Sequence, residues 1–100
     1  MDPANGRAKR GCILGSFGKI LIVIPAYNEE GSVGKVVEEV KRHLPQADVL
    51  VVDDGSIDLT PDKAKIAGAT VLELPFNLGI GGAMQAGYKY AFEKGYDIVV

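Results

Sequence analysis

Ile20-Leu-Ile-Val-Ile-Pro-Ala-Tyr-Asn-Glu-Glu30 and Val49-Leu-Val-Val-Asp-Asp-Gly-Ser56 are two β-branched apolar runs that end abruptly in acids. The stretch between them places apolar residues at helical spacing. Parallel strands joined by a right-handed helical crossover set their C-terminal ends side by side. Ligands of open α/β sheets bind at that edge. Tyr27, Asn28, Glu29, Asp53 and Asp54 then converge from two separate parts of the chain. An aromatic ring surrounded by polar groups suits a nucleoside.

The 100 residues make one small domain, large enough for a core and too short for a second one. The net charge of -2 hides a split. Residues 1–19 carry Arg7, Lys9, Arg10 and Lys19 against Asp2, whereas the remainder is acidic. The start, residues 1–18, has no sustained period of 2 or 3.6 and reads as a flexible leader. Three positive charges on such a tail bind weakly, so no nucleic-acid partner is expected. Cys12 is the only cysteine, which excludes an internal disulfide and fits a reducing cytoplasm. No apolar run approaches membrane-spanning length, and Ile13-Leu14 is too short for a signal-peptide core.

Four apolar runs, 20–24, 49–52, 69–74 and 97–100, alternate with three helical patterns, an arrangement that argues for a parallel sheet. The first helix follows Ser32 as N-cap, presents Val33, Val36, Val37, Val40 and Leu44 to the core, and closes at Pro45. Thr60-Pro61 announces a second, short helix with a capping hydroxyl, ending at Gly68. A third spans about 81–94, with Ala83, Ala86, Gly87, Tyr90 and Ala91 inward and Gly95 as its C-terminal cap. Tyr88, Tyr90, Phe92 and Tyr96 read as core and rim packing, and His43, the only histidine, as a surface residue.

Three motifs carry chemistry. In Pro25-Ala-Tyr-Asn-Glu-Glu30, proline stops strand pairing and Tyr27 can stack on a base. Equally, Asn28 can cap a turn, and Glu29 or Glu30 can complement the next helix dipole. Asp53-Asp54-Gly-Ser56 places two acceptor-only carboxylates at a strand end, where base N–H and ribose hydroxyl donors or a divalent cation would meet them. A plain Asp-Gly turn with Asp53 paired to a lysine is the structural alternative. Asn77-Leu-Gly-Ile-Gly-Gly-Ala83 leads into a helix whose amides can approach phosphate oxygens. Its spacing is not that of a dinucleotide fingerprint, since Met84 stands at the third glycine position. Gly18-Lys19 is followed by Ile20 where a Walker loop needs Ser or Thr.

Taken in order, Pro25 to Glu30, Val52 to Thr60 and Asn77 to Gly87 resemble the N-terminal nucleotide-binding half of inverting family-2 glycosyltransferases with the GT-A fold. The chain is similar in particular to polyprenyl- and dolichol-phosphate sugar transferases, over residues 19–100. The resemblance implies a three-layer α/β fold, a truncated GT-A or Rossmann-like half with a parallel sheet ordered 3-2-1-4 and helices on both faces. It implies that Pro25, Tyr27 and Glu29 line the nucleoside pocket, with Glu29 near the ribose. Val52 and Asp54 would contact the base, Asp54 accepting from a ring N–H. Asp53 would be more structural, and Asn77, Gly79 and Gly81 would border the diphosphate. The family's Asp-x-Asp metal motif and catalytic base are expected after Val100, so no catalytic or metal-ligating residue is assigned, although Mg²⁺ or Mn²⁺ is expected in the full-length enzyme.

The functional expectation is a fragment, inactive alone, that binds a UDP- or GDP-sugar for transfer to an acceptor such as polyprenyl phosphate. Its location is cytoplasmic or at the cytoplasmic face of a membrane, with membrane contact only through the lipid acceptor or a missing C-terminal part. The alternative is a non-catalytic nucleotide-binding or assembly module whose exposed fourth strand pairs with a second copy. A receiver-like phosphoacceptor domain fits less well, because receivers place their acidic pair after the first strand.

Overall fold

The chain, described by a computed structural model over residues 18–100, alternates strands and helices throughout. The leader expected over 1–18, with Cys12 and its basic residues, lies outside the described residues except for Gly18. The elements are β1 (Ile20–Ala26), α1 (Val33–His43), β2 (Asp48–Asp53), α2 (Thr60–Ile66), β3 (Thr70–Glu73), α3 (Gly79–Glu93) and β4 (Ile98–Val99). All pairings are parallel and the order is β3-β2-β1-β4, as expected.

Side chains alternate across a strand, so each central strand feeds two cores. Val49 and Val51 of β2 pack with Val33 and Val37 of α1 and Ala64 of α2. Leu50 and Val52 pack with Leu21 and Val23 of β1 and with Ala83 and Ala91 of α3 on the opposite face. Burial on both faces explains why β2 reads as an unbroken apolar run. The chain order runs outward through β1, β2 and β3, then reverses to place β4 beyond β1. With crossover handedness fixed, that reversal moves α3 to the other face.

Several boundaries differ from the local patterns. β1 continues through Pro25 to Ala26 instead of stopping at the proline, and Pro25 pairs in register with Val52. The Val23 N–H donates to the Val100 carbonyl on the β4 side. Pro25, two residues on, turns its nitrogen to that same side, beyond the Ile20 and Leu21 positions that β4 pairs, so no ladder bond is lost. Val36 and Leu44 are exposed, as are Tyr88 and Phe92, while Tyr90 and Tyr96 pack on the α3 core. Glycines at 68 and 95, both with positive φ, close α2 and α3. The Gly68 N–H bonds to Lys65 O and the Ala69 N–H to Ala64 O; the same pair of bonds recurs from Gly95 to Phe92 and from Tyr96 to Ala91.

Gly87 sets how closely α3 approaches the sheet. A Cβ there would lie 2.6 Å from Val23 Cγ1, a branched side chain with little room to yield. Gly87→Ala is therefore expected to lose about 1 kcal/mol in urea unfolding despite its better helix propensity, because overpacking costs about 1–3 kcal/mol. Combining it with Val23→Ala should give a coupling of at least about 0.5 kcal/mol in a double-mutant cycle, since the smaller partner relieves the clash.

The entry to β1 is clasped by the turn after α3. The Lys19 N–H donates to Asp97 Oδ2 at 2.9 Å, the Lys19 ammonium donates to Lys94 O, and that ammonium lies 4.6 Å from the Tyr96 ring centre. The Tyr96 hydroxyl donates to Asp48 Oδ2 at 2.6 Å. That bond to a carboxylate, with burial, pushes the phenol up to about 12. A raised folded-state value stabilises below the ordinary phenol value near 10 and loses that contribution as pH rises through 12. Alkaline unfolding should therefore show a fall in stability between these values that Tyr96→Phe abolishes.

Candidate functional site

The strand order reverses next to β1, and the crevice at that reversal is where an open α/β sheet takes its ligand. A cavity of about 300 Å³ occupies it. Pro25, Ala26, Tyr27 and Glu29 line it from the end of β1, Asp54 from the end of β2, and Asn77, Gly79, Ile80 and Ala83 from the start of α3. Six of the eight residues singled out from sequence thus meet at one rim. Val52 and Gly81 are not among the lining residues. The Val52 side chain is fully buried beneath α3, and Gly81 lies in the helix's first turns.

The two adjacent aspartates are divided by strand alternation. Asp53, paired with Ala26 and Glu73, continues the series of Val49 and Val51 toward the α1 and α2 layer. It is 2% exposed, and its Oδ1 has no hydrogen-bond partner. The lysine pairing weighed for it is not among the described ion pairs. Asp54 turns toward α3 and is 5% exposed. Its Oδ1 accepts from the Leu78 N–H at 2.7 Å and its Oδ2 from the Gly79 N–H at 2.9 Å.

This carboxylate changes the reading of the glycine-rich loop. α3 begins at Gly79, earlier than position 81, because a positive φ at Gly79 and the two bonds to Asp54 start the turn there. The amides of Leu78 and Gly79, expected to face phosphate, are taken by Asp54, which already complements the positive helix end. Asn77 Oδ1 also accepts from Gly79. An ionised carboxylate has about four lone-pair sites, so Asp54 keeps acceptor capacity toward the cavity.

The loop after β1 is fastened to the loop after β2. Asn28, at φ 52, donates its N–H to Ser56 Oγ, and its side-chain oxygen accepts from the Ile57 N–H. The Glu29 N–H donates to Thr60 Oγ1 at 2.7 Å, and Glu30 Oε1 accepts from the Leu59 N–H. Glu29 acts at the start of α1 through its backbone carbonyl, which accepts from Ser32 and Val33, and its carboxylate accepts from the Ser32 hydroxyl. Ser32 precedes the helix as expected but makes no side-chain cap. Thr60 was expected to cap α2; instead Asp58 accepts from its N–H and its hydroxyl. Sequence reasoning gave no role to Ser56, Asp58 or Ile80, and read Ala83 only as a core-facing residue of the third helix. An Asp two residues before Thr60-Pro61 was the available signal for Asp58.

Tyr27 is 47% exposed and leaves a ring face at the cavity, while Glu29 and Asp54 make the lining acidic, with no Lys or Arg among the lining residues. Such a site offers stacking and hydrogen-bond acceptors, and its own charge opposes anions. A divalent cation, expected for the full-length enzyme, finds no group of three or more His, Cys, Asp or Glu among the described residues. These residues alone do not fit a metal centre, and no chemistry is assigned through one. No helix among the described residues is long and apolar enough to cross a membrane.

The family model for glycosyl transferase family 2 matches residues 21–100. The undecaprenyl-phosphate mannosyltransferase of Micrococcus luteus is 39% identical over 87 residues, covering 82% of this chain and 36% of that protein. The polyprenol monophosphomannose synthase of Mycolicibacterium smegmatis is 34% identical, covering 99% of this chain and 37% of its own length. Among solved structures, glucosyl-3-phosphoglycerate synthase from Mycobacterium tuberculosis in complex with Mn²⁺ and UDP-glucose superposes with a TM-score of 0.68 at 27% identity, covering 93% of this chain and 37% of that one. The chain thus spans little more than a third of the length of these relatives. Its sheet order, helix layers and matched residues agree: the chain belongs to glycosyl transferase family 2.

Proposed function

We propose that this chain is the nucleotide-sugar-binding part of a glycosyltransferase that moves a sugar from UDP or GDP to an acceptor such as polyprenyl phosphate. The observation that carries this reading is the convergence of Tyr27, Glu29 and Asp54 on one cavity at the strand reversal. Tyr27 stacks on the base, Asp54 accepts from a base N–H with its remaining lone pairs, and Glu29 accepts from the ribose hydroxyls. Pro25, Asn77 and Gly79 shape the walls, and the backbone of Val52, paired with Pro25, sits beneath them. Gly81, in the first turns of α3, borders the diphosphate. The names of the relatives support the donor and acceptor classes. A lipid-phosphate acceptor would bring the site to a membrane surface on the cytoplasmic side.

In transfer, an acceptor oxygen bonds to the anomeric carbon as the bond to the diphosphate breaks, and the nucleoside diphosphate leaves with the electron pair. The residues of this chain bind and orient the donor; none is assigned as catalytic. Mg²⁺ or Mn²⁺, named with solved relatives, would be held by groups other than the described residues.

A second reading, a non-catalytic assembly module, is favoured by one feature. β4 lies at the sheet edge, Ile98 and Val100 are exposed, and such edges template pairing with another copy. Light scattering that finds a monomer at all concentrations removes it.

Calorimetric titration with UDP and GDP tests the main reading. One of the two should bind, and Tyr27→Ala should weaken it about tenfold, the loss of one base–aromatic stack. Because the lining is acidic, the diphosphate without a divalent cation should bind no better than the bare nucleoside. A folded protein that binds neither nucleotide, with or without Mn²⁺, overturns the reading.

A further inference from the structure

We propose that Asp58 and Thr60 are positioning residues for the pocket. The Asp58 carboxylate fixes the direction of the Thr60 hydroxyl, and that hydroxyl holds the Glu29 backbone against the start of α2. The inference rests on the nucleotide reading only in taking residues 27–29 as a wall of the nucleotide site.

Thr60 is fully buried, so bulk water does not compete for its hydroxyl. A hydroxyl has one proton and two lone pairs. The Glu29 backbone N–H, 2.7 Å away, can only donate, so the Thr60 oxygen accepts there. Its proton then goes to Asp58 Oδ1, an ionised acceptor that also receives the Thr60 N–H at 2.9 Å. The other Asp58 oxygen accepts from the Glu30 N–H at 3.3 Å. One carboxylate thereby orients the hydroxyl that holds Glu29 and touches the next amide directly. Burial raises the Asp58 carboxyl, but the Thr60 hydroxyl, Thr60 N–H and Glu30 N–H together hold it below the usual carboxylate range, which keeps the acceptor ionised.

The segment held in this way needs holding. Asn28 sits at positive φ, and Tyr27 and Glu29 on either side of it both line the cavity. If residues 27–29 sample other conformations, apparent affinity falls by the fraction of molecules in which the wall is formed. A simple helix cap would act otherwise: its loss would loosen α2 and leave Glu29 untouched.

The test combines amide hydrogen exchange, thermal melting and nucleotide titration on Thr60→Val, Thr60→Ser and Asp58→Ala. Thr60→Val keeps the volume and removes the relay; it should speed exchange at Glu29 and weaken UDP or GDP by about fivefold, the worth of one typical hydrogen bond. Thr60→Ser should restore both, and Asp58→Ala should move both as Thr60→Val does. Should Thr60→Val not fold, the partly exposed Asp58 site carries the comparison. Unchanged exchange at Glu29, or losses confined to α2 amides, overturns the proposal. Wild-type protein that binds neither nucleotide removes the nucleotide reading instead, and exchange at Glu29 then judges the relay alone.

Discussion

Everything at the rim depends on the register between β1 and β2. Six successive pairs run from Leu21 opposite Asp48 to Ala26 opposite Asp53, and the Asp54 N–H then bonds to the Ala26 carbonyl. Because side chains alternate, a slip of one residue would send Val49 and Val51 to the wrong layer and exchange the directions of Asp53 and Asp54. The alternation of β2 side chains between the two cores therefore decides which aspartate meets α3. Packing in the two cores sets the chemistry of the polar edge, which each core reaches through one alanine, Ala26 and Ala83.

That edge concentrates acids: Glu29, Glu30, Asp53, Asp54 and Asp58 all lie at the ends of β1 and β2 or just beyond. Among the described contacts, lysine and arginine do not balance them; backbone N–H groups do. Asp54 receives Leu78 and Gly79, Asp58 receives Thr60 and Glu30, and Glu30 receives Leu59. Amides at helix starts are natural partners for carboxylates because they are otherwise unpaired and carry the positive end of the dipole. Glu29, whose carboxylate accepts from the Ser32 hydroxyl, and Asp53, whose Oδ1 has no partner, are the exceptions. The resulting cavity is hydrogen-bonded at its rim and negative, a combination that suits a base and ribose better than a phosphate.

Much of this was written locally in the chain. The apolar runs announced four strands, Gly68 and Gly95 the helix ends, and the alternation of elements the parallel sheet. What local pattern could not show were the bonds between residues far apart in sequence. Pro25 signalled a strand end, yet it pairs in register with Val52 and β1 runs on to Ala26. Glycines suggested a phosphate loop at 77–82, but Asp54, 24 residues earlier, holds its first amides. Val36 and Leu44 kept the helical spacing of core residues and yet are exposed.

The loop contacts follow from the same register. β1 and β2 pair at a constant offset of 27 residues. Beyond the last pair, Asn28 meets Ser56 and Ile57, Glu30 meets Asp58 and Leu59, and Glu29 meets Thr60, at separations of 28 to 31. The ladder thus continues past both strands with side chains standing in for one backbone partner, and the offset drifts as the second loop bends into α2. Asn, Ser, Asp, Glu and Thr are the residues able to do this, since each can accept from a backbone N–H. A motif that looks like a nucleotide-contacting signature is therefore also the means by which two parallel strands, once apolar pairing ends, keep their tips together.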